Sequence, residues 1–196
     1  MTQYLNLKNA IANFMIIVTC YVFAFGLTTY LVTPIQGYFL PEITLFASLV
    51  YLPHGVRILA TWYLGWKAIV PLFVANLVST AIFYSDSWAQ FLGQSRLEAG
   101  LIGASCAFLA FELVRGAGFD LYAGPRKHIH WKALLAIGII ASLINSIGQS
   151  INYAGLIVPE DAIPVFGIYL VGDVVGQLVC MLALMMLFRR IRLAGA

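Results

Sequence analysis

Residues 163–188, IPVFGIYLVGDVVGQLVCMLALMMLF, carry a single charge, Asp173, and decide what kind of protein this is. A helix of that length rises past the roughly 30 Å hydrocarbon core of a bilayer at about 1.5 Å per residue. Five more apolar runs bounded by Pro, Gly or charge precede it, at 11–32, 43–66, 68–85, 98–118 and 131–157. Composition agrees, since the 196 residues are 62% hydrophobic and 10% charged, with a mean hydropathy of +0.92. Soluble domains average about 45–50% apolar and about 25% charged. The sequence therefore predicts an all-α polytopic membrane protein, one integral helical bundle over residues 1–196 with six transmembrane helices. The second helix is expected to be kinked or broken at Pro53, which lacks an N–H and clashes with the carbonyl four residues back. Composition excludes a soluble enzyme core, a disordered chain, a disulfide scaffold and a nucleic-acid binder.

Charge sets the topology. With the N-terminus in the cytoplasm, the inner side receives Lys8, Lys67, Arg115, Arg126, Lys127, Lys132, Arg189, Arg190 and Arg192, while Arg96 falls outside and Arg57 within a span. Glu42, Asp86, Glu98, Glu160 and Asp161 fall on the outer side. This asymmetry follows the positive-inside rule and places both termini in the cytoplasm. Trp62, Trp66 and Trp131 lie near inner span ends and Trp88 in an outer loop, where indole rings favour the interface. The first apolar run is longer than a signal-peptide core and lacks a small-x-small cleavage site, so it is expected to remain as a span.

Ionisable groups at membrane depth are costly and mark function or an internal partner. The candidates are His54, Arg57, Glu112 and Asp173. In Leu52-Pro53-His54-Gly55-Val56-Arg57, a helix restarting after Pro53 would present free N–H groups beside a guanidinium. That arrangement suits an anion, either a small ligand's or the protein's own Asp173. His54, Arg57 and Thr61 share one helix face, and Tyr169, Asp173 and Gln177 form a stripe on another helix. Gly172 and Gly176 beside that stripe allow close helix approach. Ser142, Asn145, Gln149 and Asn152 lie along one face of the fifth span. The reading is a polar seam between spans two, five and six, built from His54, Arg57, Asp173, Gln177, Asn145 and Gln149, which either binds a ligand or holds the helices together. Glu112 and Arg115, three residues apart at the cytoplasmic edge, are expected to form a local ion pair.

Cofactor and enzyme chemistry find little support. No Lys lies at mid-span to anchor retinal, and a single in-span His cannot bridge haem between two helices. His128-Ile129-His130 lacks further ligands at metal-binding spacing, so no metal is expected. Neither Gly-x-Ser-x-Gly nor His-Glu-x-x-His occurs, and Cys20, Cys106 and Cys180 sit in apolar runs without a disulfide pattern. The chain is expected to be non-catalytic.

Leu52-Pro53-His54-Gly55, followed by Leu64-Gly65-Trp66-Lys67, resembles the Pro-x-Gly segment of bacterial membrane-associated sensor domains of the MASE type. Gly172-Asp173-Val174-Val175-Gly176 resembles the Gly-Asp-x-x-Gly of that family's last helix. The resemblance implies a multi-pass sensory module in the bacterial inner membrane. Leu52 stands where the family has an aromatic, and the sequence runs to Leu193-Ala194-Gly195-Ala196 without an output domain. Signalling would then pass to a separate membrane or cytoplasmic protein. The expected partners are the bilayer, such a protein and a small anionic ligand, with no nucleic acid.

Two other functions compete with the sensor. Six spans with both termini inside also resemble the substrate-binding subunits of energy-coupling-factor transporters. Such subunits carry alanines along the first helix, where this chain has only Ala10 and Ala12 near its start. The third reading is an accessory subunit of a larger membrane complex.

Overall fold

The computed structural model describes residues 2–39, 48–83, 93–124, 131–153 and 162–194, and every regular element among them is helical. We number these α1 (Thr2–Leu27), α2 (Thr33–Phe39), α3 (Pro53–Leu64), α4 (Ile69–Phe83), α5 (Gly93–Gly116), α6 (Trp131–Asn152) and α7 (Ala162–Ala194). A π-helical turn, Thr28–Val32, joins α1 to α2, and a 3-10 turn, Gly65–Ala68, joins α3 to α4. The π turn has a local cause in Pro34, whose ring would strike the Tyr30 carbonyl in an α-helix. Widening the preceding turn relieves this, and the Thr33 amide bonds back to the Thr28 carbonyl.

Among the described residues, five helical stretches are long and apolar enough to cross a membrane: Leu7–Phe39, Pro53–Phe83, Arg96–Gly116, Trp131–Asn152 and Ile163–Leu193. Pro53–Phe83 is not one straight helix. Arg57 and Asn76 both donate to the Tyr21 hydroxyl, at 3.0 and 3.2 Å. Nineteen positions of straight helix (57 to 76) would separate them by about 28 Å, beyond the reach of both side chains. The chain therefore reverses at Gly65, whose φ of 60° and ψ of −137° end α3. Before α3, residues 48–52 form no helix, and residues 40–47 lie outside the described residues. Pro53 thus opens a helix, at the first turn where its missing N–H costs nothing, in place of kinking a continuous one.

Neighbouring contacts fix the direction of each arm. Tyr21 meets Asn76 and Gly26 lies beside Phe83, so α1 and α4 run parallel. Tyr21 meets Arg57 while Thr28 meets Leu52, so α3 runs against α1. Gln149 bonds Ala99 and Gly148 lies beside Ile102, whereas Phe111 packs with Leu134 and Ile137, so α5 and α6 are antiparallel. Gln177 reaches Leu134 and Ser142 reaches Leu170, so α7 runs against α6. Directions alternate along the chain, and the start of α1 lies at the same end as the close of α7.

Packing uses small residues where backbones approach. One apolar cluster joins Ile17, Tyr21 and Phe25 of α1 to Ala60, Leu72, Ala75 and Ala104. A second joins Ile58 to Cys106, Ala107, Ala110, Phe111, Leu134, Ile137 and Ala141. Helix association in lipid depends on such close van der Waals packing, because lipid tails remove the hydrophobic drive between helices. Large side chains such as Ile11, Met15, Phe23 and Ile147 point outward instead. At the end bearing Gly65, Ala123 donates its amide to the Trp62 carbonyl, satisfying one orphan group of the last α3 turn.

Gly65→Val should lower thermal stability in detergent by about 1–3 kcal/mol, because a side chain strains this backbone conformation. Gly116→Ala, whose Cβ meets nothing within 4 Å, should leave stability unchanged or raise it by up to about 1 kcal/mol.

Candidate functional site in the bundle interior

The site begins with a stretch of backbone that is not helical. Along 48–52 the Tyr51 amide donates to the Gly172 carbonyl at 2.9 Å, the Leu52 amide to Thr28 Oγ1 at 3.2 Å and the Leu49 amide to Gln36 Oε1 at 2.6 Å. Irregular backbone survives at membrane depth only when such partners are supplied from within the protein. A Cβ on Gly172 would collide with the Ser48 carbonyl oxygen, and one on Gly176 with that of Tyr51. The glycine pair therefore receives this non-helical strap, where the sequence suggests close approach by a helix.

The strap also changes the expected start of α3. The His54 amide bonds the Tyr51 carbonyl and the Gly55 amide bonds that of Leu52, both at 3.1 Å. These N–H groups are engaged, so the helix start does not supply the free donors expected for an anion.

Asp173, Asn145 and Gln149 come together as a hydrogen-bonded chain, and His54 lies against its acidic end without a hydrogen bond from Nδ1. His54 Nδ1 lies 3.4 Å from Asp173 Oδ2, with the two side chains 0% and 1% exposed. On its other side, His54 Nε2 lies 3.2 Å from the Gly138 carbonyl. Asn145 donates to Asp173 Oδ2 at 2.8 Å, and Gln149 donates to Asn145 Oδ1 at 3.3 Å and to the Ala99 carbonyl at 3.1 Å. Gln177 sits one turn along α7 and joins α6 separately, donating to the Leu134 carbonyl at 2.8 Å. Gly138 makes room for it, since a Cβ there would overlap the Gln177 amide.

Arg57 goes elsewhere. Among the described residues it has no carboxylate within 4 Å, and Asp173 lies against His54 instead, which removes the direct Arg57–Asp173 bridge from the readings of the seam. Arg57 Nη2 donates to the hydroxyls of Tyr21 and Tyr51, at 3.0 and 3.3 Å, and these hydroxyls lie 3.0 Å apart. The guanidinium also rests near both rings, 5.1 Å from the Tyr51 centroid and 5.7 Å from that of Tyr21. Gly103 opens the space on α5, where a Cβ would strike the guanidinium. Arg57 is 3% exposed, and its Nε and Nη1 have no acceptor. Thr61, on the same helix face, is buried as well.

Sequence reading missed Tyr21, Tyr51 and Asn76 as members of this site. An in-span tyrosine reads as an ordinary aromatic, while Asn76, polar within an apolar run, was a visible signal. At the cytoplasmic edge expected from the sequence, Arg115 and Glu112 form their ion pair at 3.3 Å, with 58% and 38% of their side chains exposed. Such an exposed pair adds little stability. Tyr122 stacks on Phe111 and donates to Glu112 at 2.9 Å. Burial and this carboxylate push its phenol well above the usual range, so it remains a donor. Among the described residues no three His, Cys, Asp or Glu side chains gather as a metal site; His128 and His130 lie outside the described residues.

No protein-family model, curated protein or solved structure matches the chain. The interior geometry therefore carries the functional argument.

Double-mutant cycles should separate the two halves of this interior. His54→Ala with Asp173→Ala should show a coupling of about 0.5–3 kcal/mol, the range for residues in contact. Arg57→Ala with Asp173→Ala should show less, read from unfolding of the purified protein in detergent; the reverse order would contradict the geometry.

Proposed function

We propose that the chain is a non-catalytic, six-crossing module of the bacterial inner membrane, of the sensor type, whose interior polar network recognises a small ligand and reports it to a protein partner. The six-crossing topology draws support from the reversal at Gly65. Trp66 and Lys67 are exposed there, as interfacial residues should be. In this reading the strap and α3 form one discontinuous crossing and α4 the next, which keeps the basic loops on one side with both termini cytoplasmic. Discontinuous helices at mid-membrane are where many transport proteins build binding sites. The MASE-like Pro-x-Gly and Gly-Asp-x-x-Gly segments contribute the two sides of the strap's contact, Pro53 following it and Gly172 and Gly176 receiving it.

The observation that carries the reading is Arg57: buried, held by neutral hydroxyls and ring faces, and touched by no carboxylate among the described residues. Placing an arginine at the centre of a span costs about 2.5–3.5 kcal/mol on insertion scales, and such residues are by default functional. Native mass spectrometry of the gently extracted protein tests this. Wild type should retain a small molecule that Arg57→Gln loses while its melting curve stays cooperative. A stoichiometric second membrane protein without any small molecule would overturn ligand recognition and make the seam part of a larger complex.

A further inference from the structure

The partners of His54 restrict where its protons sit. A carbonyl can only accept, so Nε2 carries hydrogen toward Gly138. Nδ1 lies 3.4 Å from Asp173 Oδ2 and has no hydrogen-bond partner, and two lone pairs facing each other repel. The contact is therefore attractive only when one proton lies between them, on the imidazole or on the carboxyl. In either arrangement the His54–Asp173 pair is net neutral, and Arg57 is left as an unbalanced positive charge. If that proton leaves, the pair becomes net negative and balances Arg57, which lies within electrostatic reach of both groups.

Among the described residues, the surrounding groups do not supply a counter-charge. Tyr21 from α1, Tyr51 from the strap and Cys106 from α5 face Arg57, and Cys180 of α7 lies against Gly55. Reference phenols and thiols ionise near about 10 and 8.5, so at neutral pH such groups are uncharged. From α4 comes Asn76, and from α6 come Ser142, Asn145 and Gln149, all uncharged. The interior thus has two balanced states. In one the pair is deprotonated; in the other it holds its proton and an external negative charge sits at Arg57.

We propose that Arg57 binds a small monoanion together with one proton, the proton lodging between His54 and Asp173 and the anion on the guanidinium Nε and Nη1. A single negative charge matches the single charge left over, and the two nitrogens lacking acceptors are the donors it takes. The proposal rests on the interior network being a ligand site and adds the charge and proton count of what it takes. Because the anion is matched only when the proton is present, affinity is highest at low pH. It falls by up to about tenfold per pH unit once the proton is lost, the slope for one linked proton.

The test is calorimetric titration of the nanodisc-embedded protein with formate, acetate and chloride at constant ionic strength. Two buffers of different ionisation enthalpy report the protons exchanged. At least one monoanion should bind saturably, with close to one proton taken up at high pH and an affinity that declines with pH. Asp173→Asn removes the carboxylate's negative charge while keeping its size, so it should bind at high pH more tightly than wild type does there, without proton uptake. Arg57→Gln should abolish binding, and Arg57→Lys should weaken but keep it, which covers the case of a poorly folded Gln variant. Absence of monoanion binding to wild type, a pH-independent affinity, or proton uptake that persists in Asp173→Asn would overturn the proposal. A different small molecule retained by wild type and lost in Arg57→Gln, with no monoanion bound, would remove the proton-coupled site and leave the sensor reading standing; neither kind of ligand would remove both.

Discussion

Hydrocarbon offers no hydrogen bonds, so an unpaired amide or carbonyl within it costs several kcal/mol. The interior of this bundle depends on how that constraint is met along the strap before Pro53. The amides of Leu49, Tyr51 and Leu52 are taken by the Gly172 carbonyl and by the side chains of Thr28 and Gln36. Gly172 and Gly176 let the strap lie directly on the α7 backbone. Once the strap is seated, the start of α3 is fixed, His54 faces Asp173 and the Tyr51 hydroxyl meets Arg57.

A second centre is the Tyr21 hydroxyl, which joins Arg57, Asn76 and Tyr51. It draws the two arms of the Gly65 hairpin against α1 and gives the guanidinium neutral partners in place of an acid. The interior is consequently divided. The acid and the amides of α6 form one hydrogen-bonded chain with the imidazole against it, while the arginine and its tyrosines form a cluster beside it. Separating unlike charges in this way leaves Arg57 with donors unspent, in contrast to a closed ion pair, which would satisfy both groups and leave nothing to recognise.

Much of the fold was legible in the sequence because hydrocarbon imposes length and composition on every crossing. The apolar runs ending near residues 118 and 188 correspond to α5 and α7, and the Glu112–Arg115 pair follows from helical spacing alone. Asp173, His54, Asn145 and Gln149 were legible as a group because polar atoms in apolar runs need partners, and the structure brings them together. The partner of Arg57 was not legible. Charge alone suggested Asp173, and only the reversal at Gly65 brings Tyr21 and Asn76 within reach. The glycine pair of α7 was read correctly as a place of close approach but with the wrong occupant, because small residues announce a groove without saying what fills it.

By itself the sequence determined that this chain is built from apolar helices, which end carries the basic residues, and which polar side chains must be buried with company. Those properties follow from local composition and period, which each segment carries with it. Tertiary structure alone decided that Asp173 belongs to His54, that Arg57 belongs to two tyrosines, and that a strap lies in the Gly172–Gly176 groove. Such pairings depend on the relative depth and rotation of helices distant in the chain. Backbone packing sets these through the bare faces of Gly103, Gly138, Gly172 and Gly176, and no periodicity within a single segment records them.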